Sequence, residues 1–179
     1  MNNPCVFSPD PDRIYRYLLI HDREDLFVAG RRRLLCVGLN PSAADEQQLD
    51  NTLTSARDFA SRWGFNGFVM ANLFAFRSPY PEDLHTIADP IGPDNDRHIR
   101  AAAGQCEMVL AAWGSYPLAA TRAPRVEAIL CAAGRPIHCL GLTKDGYPLH
   151  PLYINRLTLP VVFRAAATQG STFSAGDGD

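Results

Sequence analysis

Apolar positions along the chain fall into short runs and helical stripes that follow one another in turn. Arg13 to His21 alternates enough to read as a strand, and Asp22 to Asp25 as the turn that ends it. Leu34 to Leu39 (LLCVGL) is a continuous apolar run bounded by Arg33 and Asn40-Pro41, the pattern of a buried strand. From Thr52 to Trp63 the residues Leu53, Ala56, Phe59, Ala60 and Trp63 share a helical period. Asp50 suits the N-cap of that helix and Gly64 its C′ position. Phe68 to Leu73 reads as a second buried strand, Asp94 to Ala103 as a helix entered after Pro93, and Met108 to Trp113 as a third strand. Pro124 sits where a further helix would start, with Val126, Ile129 and Leu130 on one face and Gly134 after it. Ile137 to Leu142 is the fourth strand.

This alternation of strand and helix predicts the α/β class: a three-layer αβα sandwich around a central, mainly parallel, four-stranded sheet. One domain over residues 13–165 is expected, with flexible termini at 1–12 and 168–179, the latter polar and Gly-rich. Ligands of open parallel sheets bind beyond the carboxyl ends of the strands. Those ends lead into Asn40-Pro41-Ser42, Asn72 (ANLFAFRSP), Gly114-Ser115-Tyr116, and a segment from Thr143-Lys144-Asp145-Gly146 to His150-Pro151. Polar, turn-forming residues thus gather at one edge, where the site is expected.

Composition narrows the chemistry. The 179 residues are 46% hydrophobic and 20% charged, ordinary for a globular fold. No run of ~18 apolar residues spans a membrane, and the first residues carry no basic-then-apolar export signal, so a cytoplasmic protein is expected. Five cysteines are scattered without a C-x-x-C pair, which argues against a zinc site, an iron–sulfur cluster or a disulfide framework. They read as small buried hydrophobes in a reducing compartment. The net charge of −2 gives no global attraction for nucleic acid. Lys144 is the one lysine among 17 basic residues, and Arg31, Arg32 and Arg33 form the one tight basic run. If DNA is the partner, some of Arg31 to Arg33, Arg77, Lys144 and Arg156 should ring the crevice.

Three segments carry a resemblance. Gly38-Leu39-Asn40-Pro41-Ser42 is similar to the first active-site motif of the thymine/mismatch-specific and single-strand-selective branches of the uracil-DNA glycosylase superfamily, Gly-hydrophobic-Asn-Pro-Gly. Leu149-His150-Pro151-Leu152 resembles the second motif, which opens with His-Pro. Val69-Met70-Ala71-Asn72-Leu73 resembles the strand whose terminal Asn reads the base edge. NPS, NLFAFR, LTKDG and HPLY also look like the wording of an uncharacterised bacterial and phage family. The resemblance implies a metal-free, cofactor-free, monomeric enzyme that acts on DNA. Asn40 and His150 would be catalytic, and Gly38, Leu39, Pro41, Ser42, Asn72, Phe74, Lys144, Leu152 and Tyr153 would bind substrate.

The residue types suit that chemistry. Breaking a base–sugar bond passes through an oxocarbenium-like sugar, so it needs a held water and a donor for the charge growing on the departing base. Asn40 can position the water, His150 can donate to the base, and Asn72 carries the donor–acceptor pair that reads a pyrimidine edge. A flipped base also leaves a gap that Leu152, Tyr153 or Ile154 could fill. Other readings stand beside these. Asn40 could be only a turn residue, His150 a loop histidine bonded to backbone, Asn72 a tie between strand ends, and Trp113 plain core. Asp45 or Asp50 could activate water, although helix capping is the better reading of Asp50.

Two departures from the superfamily pattern matter. No aromatic occurs from Ala43 to Thr54, where a ring that stacks on the base is usual, and no Ser-Pro follows His150-Pro151. Phe74 or Phe76 could supply the ring, or the pocket could be wider. The expected activity is hydrolysis of the N-glycosidic bond of a damaged or modified base, leaving an abasic site. The alternatives are a non-catalytic nucleotide- or modified-base-binding module and a hydrolase or transferase of free nucleosides.

Overall fold

The computed structural model describes residues 4–22, 30–42 and 49–166. Among the described residues seven strands form one sheet: β1 (Cys5–Phe7), β2 (Arg16–Asp22), β3 (Arg33–Gly38), β4 (Gly67–Asn72), β5 (Met108–Ala111), β6 (Ile137–Cys139) and β7 (Val161–Arg164). Their spatial order is β1-β2-β4-β3-β5-β6-β7. The four expected strands are the inner ones, and each neighbouring pair among them runs parallel. The sheet is larger than those four. β1 and β2 extend it antiparallel beyond β4, and β7 extends it antiparallel beyond β6. β1 lies within the stretch expected to be a flexible leader. It and β7 span only 3 and 4 residues at sheet edges, half-buried or exposed, so neither carries a period-2 pattern long enough to read.

Apart from Arg33, Asn72 and His138, the inner strands carry no polar side chain, because both faces are covered. On β3 and β4, Leu34, Cys36, Phe68 and Met70 pack with Leu53, Ala56, Phe59 and Ala60 of α1 (Asn51–Arg62). The alternate residues Leu35, Val37, Val69 and Ala71 pack with Ile99, Ala102 and Ala103 of α2 (Asn95–Gln105). They also meet Ala123, Val126 and Ile129 of α3 (Pro117–Ala132). Helices therefore lie on both faces.

α1 starts where Asp50 accepts the Leu53 amide at 2.8 Å, and Gly64 follows its end at φ 80°. α3 departs from expectation: it starts at Pro117, and Pro124 is inside it. Both prolines follow residues that could precede a helix. Pro117 satisfies the N1 preference, whereas Pro124 withdraws one N–H from the Ala120 carbonyl mid-helix.

The connection after β3 leads to α1 on one face, and that after β5 leads to α3 on the other. The two loops diverge and leave a crevice at the carboxyl ends of β3 and β5, the switch point of an open α/β sheet.

Candidate active site

Gly38 ends β3 under a tight roof. A Cβ there would lie 2.6 Å from Met70 Cε and 2.8 Å from Asn72 Oδ1. Beyond it, the loops after β3 and β4 are laced together. Leu73 and Phe74 amides donate to the Gly38 and Leu39 carbonyls at 2.9 Å, and the Ser78 amide donates to Pro41 at 3.0 Å. Asn40 Nδ2 completes the lacing, donating to the Ser78 carbonyl at 2.8 Å and to Pro41 at 3.3 Å. Only an NH2 group can face two carbonyls, so the amide orientation is settled and Oδ1 is left as an acceptor. Asn40 is a turn residue and lines the cavity at once.

Asn72 ends β4. Its backbone is held from behind: Asn95 Nδ2 donates to the carbonyls of Asn72 and Leu73, each at 3.0 Å, and Arg122 Nε donates to Leu73 at 3.0 Å. The tie between strand ends is thus made by Asn95 and Arg122. The Asn72 carboxamide has no hydrogen bond among the described residues, although the residue is only 2% exposed, and it lines a cavity of about 250 Å³.

His150 reaches the same cavity from the loop after β6. That loop is pinned by the Leu149 amide on Gly141 and the Gly114 amide on Pro148. His150 Nδ1 accepts the Leu152 amide at 3.3 Å, which fixes the tautomer and leaves Nε2 as the N–H. Burial pushes its pKa below the usual 6.5, opposed by the Asp50 carboxylate. The ring is a neutral donor at pH 7.

The cavity therefore collects Asn40, Asn72 and His150 with Gly38, Leu39 and Ser42. Asp50 also lines it; one oxygen caps α1 and the other accepts the Ser42 hydroxyl. Asp45 lies outside the described residues. Other residues at the cavity had not been singled out as binding residues: Thr52 and Leu53 on α1, Met70, Ser78, Pro79, Pro81 and Arg16. Ser78 closes the FRSP segment, whose position after β4 was the available signal. Arg16, 2% exposed, comes from β2, and nothing in an alternating strand pattern marked it. Trp113, expected in the core, is buried but also forms one wall, with its ring edge-on to Phe163 at 6.1 Å.

Several expected residues lie elsewhere. Phe74 is packed into the core on the α2–α3 side, because its place after β4 turns it inward. Phe76 lines a neighbouring cavity instead. Pro41 is buried without lining the cavity, Lys144 is exposed on the turn at 143–146, and Leu152 lies outside the lining. Tyr153 is 86% exposed beyond His150. The expected basic rim is largely displaced. Arg31, Arg32 and Arg33 lie at the amino end of β3, opposite the cavity, where Asp22 pairs with Arg31 and Arg33, and Glu107 with Arg32. Arg156 is tied to α1 through Ser55 Oγ at 2.5 Å and Asp58 at 3.7 Å.

Among the described residues no three His, Cys, Asp or Glu side chains cluster as metal ligands, and no helix is long and apolar enough to cross a membrane. Burial pushes the Cys36 thiol up to about 12, which makes it inert.

A family model described as "Protein of unknown function (DUF1643)" matches residues 16–152. The chain belongs to this family. The family's span runs from β2 to His150-Pro151-Leu152 and so takes in the cavity. No curated protein and no solved structure matches the chain. The family description carries no link to uracil-DNA glycosylases.

Proposed function

We propose that this cavity hydrolyses the N-glycosidic bond of a nucleobase, in the manner of the uracil-DNA glycosylase superfamily that the Asn40 and His150 loops resemble. One observation carries the reading. Two groups on opposite loops each have one end consumed by the backbone and the complementary end left for a ligand: Asn40 Oδ1 as acceptor and His150 Nε2–H as donor.

In this reading Asn40 Oδ1 holds a water against C1′ of the sugar. The C1′–N bond breaks and its electron pair leaves with the base, where His150 Nε2–H stabilises it. The water oxygen bonds to C1′, and Asp50 takes the proton the water sheds. A preorganised donor of this kind contributes about 3 kcal/mol to the transition state. Asn72, with donor and acceptor both unspent, reads the base edge. Trp113 is the benzenoid ring in the lining among the described residues, and would stand in for the ring missing after the first motif.

The natural substrate is a damaged or enzymatically modified base in DNA, flipped out of its stack, and the product an abasic site. Repair and defence against modified phage DNA are both settings for that reaction. The displacement of Arg31 to Arg33 and Arg156 favours a second reading, in which the base is carried by a free nucleoside or nucleotide. A panel of oligonucleotides with varied bases, treated to cleave abasic sites, tests the proposal. Scission at one modified position supports it. Intact strands, with release of base from free nucleosides, would move the activity to the second reading; no release from either leaves only a binding module.

A further inference from the structure

A second cavity, of about 330 Å³, shares Ser42, Ser78 and Pro79 with the first. Its far wall carries Arg13 and Arg77. Both guanidinium groups rest on the same ring: Arg13 Cζ lies 4.8 Å and Arg77 Cζ 5.0 Å from the centroid of Phe7. Neither has a carboxylate partner within ion-pair distance among the described residues, whereas nine other arginines do. Arg77 Nη1 donates to the Arg13 carbonyl at 3.2 Å, and its Nε is buried with no acceptor among the described residues. Arg13 takes φ 49°, which is uncommon outside glycine, at a turn closed by its own amide on Asp10. Two cations thus line one cavity with donors unspent, and among the described residues Asp12 is the one carboxylate in that lining.

We infer that this second cavity is a phosphate subsite, and that the substrate of the first cavity is a nucleotide and not an unphosphorylated nucleoside. The inference rests on the base-cavity reading above. A base placed between Asn72 and His150 carries its sugar towards the Ser42–Ser78 wall, and the phosphate on that sugar meets the arginines beyond it. Arginine forks suit phosphate oxygens, and stacking on Phe7 leaves their edges free to donate. The phosphate is either the monoester of a free nucleotide or a diester of a strand.

Calorimetric binding tests this without requiring turnover. The probes are the four deoxynucleosides, their 5′-monophosphates and a single-stranded pentanucleotide, titrated into the full chain. Wild type should bind the best monophosphate or the pentanucleotide at least tenfold more tightly than the matching nucleoside. Arg13→Gln, at an exposed position that spares the core, should collapse that gap, and Arg77→Gln should do the same. Asn72→Ala should weaken nucleoside and nucleotide alike and keep the gap. Tight binding of the monophosphate identifies a free nucleotide as the source. Preference for the pentanucleotide, with affinity falling as salt rises, identifies a strand. Equal affinity for nucleoside and nucleotide, no binding of any phosphorylated probe, or a gap that survives Arg13→Gln overturns the inference. If the gap behaves as described but no base is ever released, the subsite stands and the hydrolase reading fails.

Discussion

Asn95 donates through one nitrogen to the carbonyls of both Asn72 and Leu73, each at 3.0 Å, so the end of β4 is held by α2 and the Asn72 carboxamide is left for the cavity. Asn72→Ala should therefore change stability by less than about 1 kcal/mol, since its carboxamide makes no hydrogen bond among the described residues. Asn95→Ala should cost about 1–3 kcal/mol, because the buried Asn72 carbonyl loses this donor while Leu73 keeps Arg122 Nε. Denaturant unfolding of the two variants gives both numbers. On a substrate the protein cleaves, Asn72→Ala should blur the choice among bases, which a ratio of kcat/KM values would read.

Gly38→Ala separates packing from recognition. Its Cβ would meet Met70 Cε and Asn72 Oδ1 below 3 Å. Both atoms end side chains that can swing aside, so the loss of stability should be at the low end of overpacking, about 1 kcal/mol. The Asn72 carboxamide must move to allow it, and base discrimination should fall as far as in Asn72→Ala. Unchanged discrimination in Gly38→Ala would show that the carboxamide's position is not what reads the ligand.

His150 gives a pH dependence of definite sign. Its folded pKa lies below the unfolded value near 6.5 because burial disfavours the charged ring. The unfolded chain therefore binds the proton first, so stability falls as pH drops below about 6.5 and levels off below the folded pKa. Protonation also places an N–H on Nδ1 opposite the Leu152 amide, which breaks that contact. Carbon-bound ring protons followed by NMR should titrate below pH 6.5. His98, whose pKa is also lowered by burial, contributes a second step, so His150→Gln should shrink the acid loss without abolishing it.

The inner sheet was legible because its strands are buried on both faces and read as mainly apolar runs between turn residues, broken in β6 by His138. The edges were not. β1 and β7 are short and only half-covered, and the pairing that makes them strands lies in their neighbours. Pro117 and Pro124 both fit a helix start, and only the packing of Ala119 and Ala123 against the sheet decides between them. Asn40, Asn72 and His150 were legible as a group because strand order brings their loops to one edge. Arg16 was not, since it belongs to a strand outside the parallel set. The expected ring of Arg31 to Arg33 failed for a simple geometric reason: residues that enter β3 lie a full strand's length from those that leave it.

The central claim is that Asn40 and His150 act on the transition state from opposite ends of one bond. Single-turnover kinetics of Asn40→Ala and His150→Ala, alongside the dissociation constant of each, measures this on any substrate released in the oligonucleotide screen. Each variant should lose on the order of a hundredfold in chemical rate, the equivalent of ~3 kcal/mol, with dissociation constants within a few-fold of wild type. For His150→Ala the loss should shrink on bases that are better leaving groups. Rates equal to wild type in both variants, or losses confined to binding, would contradict the account.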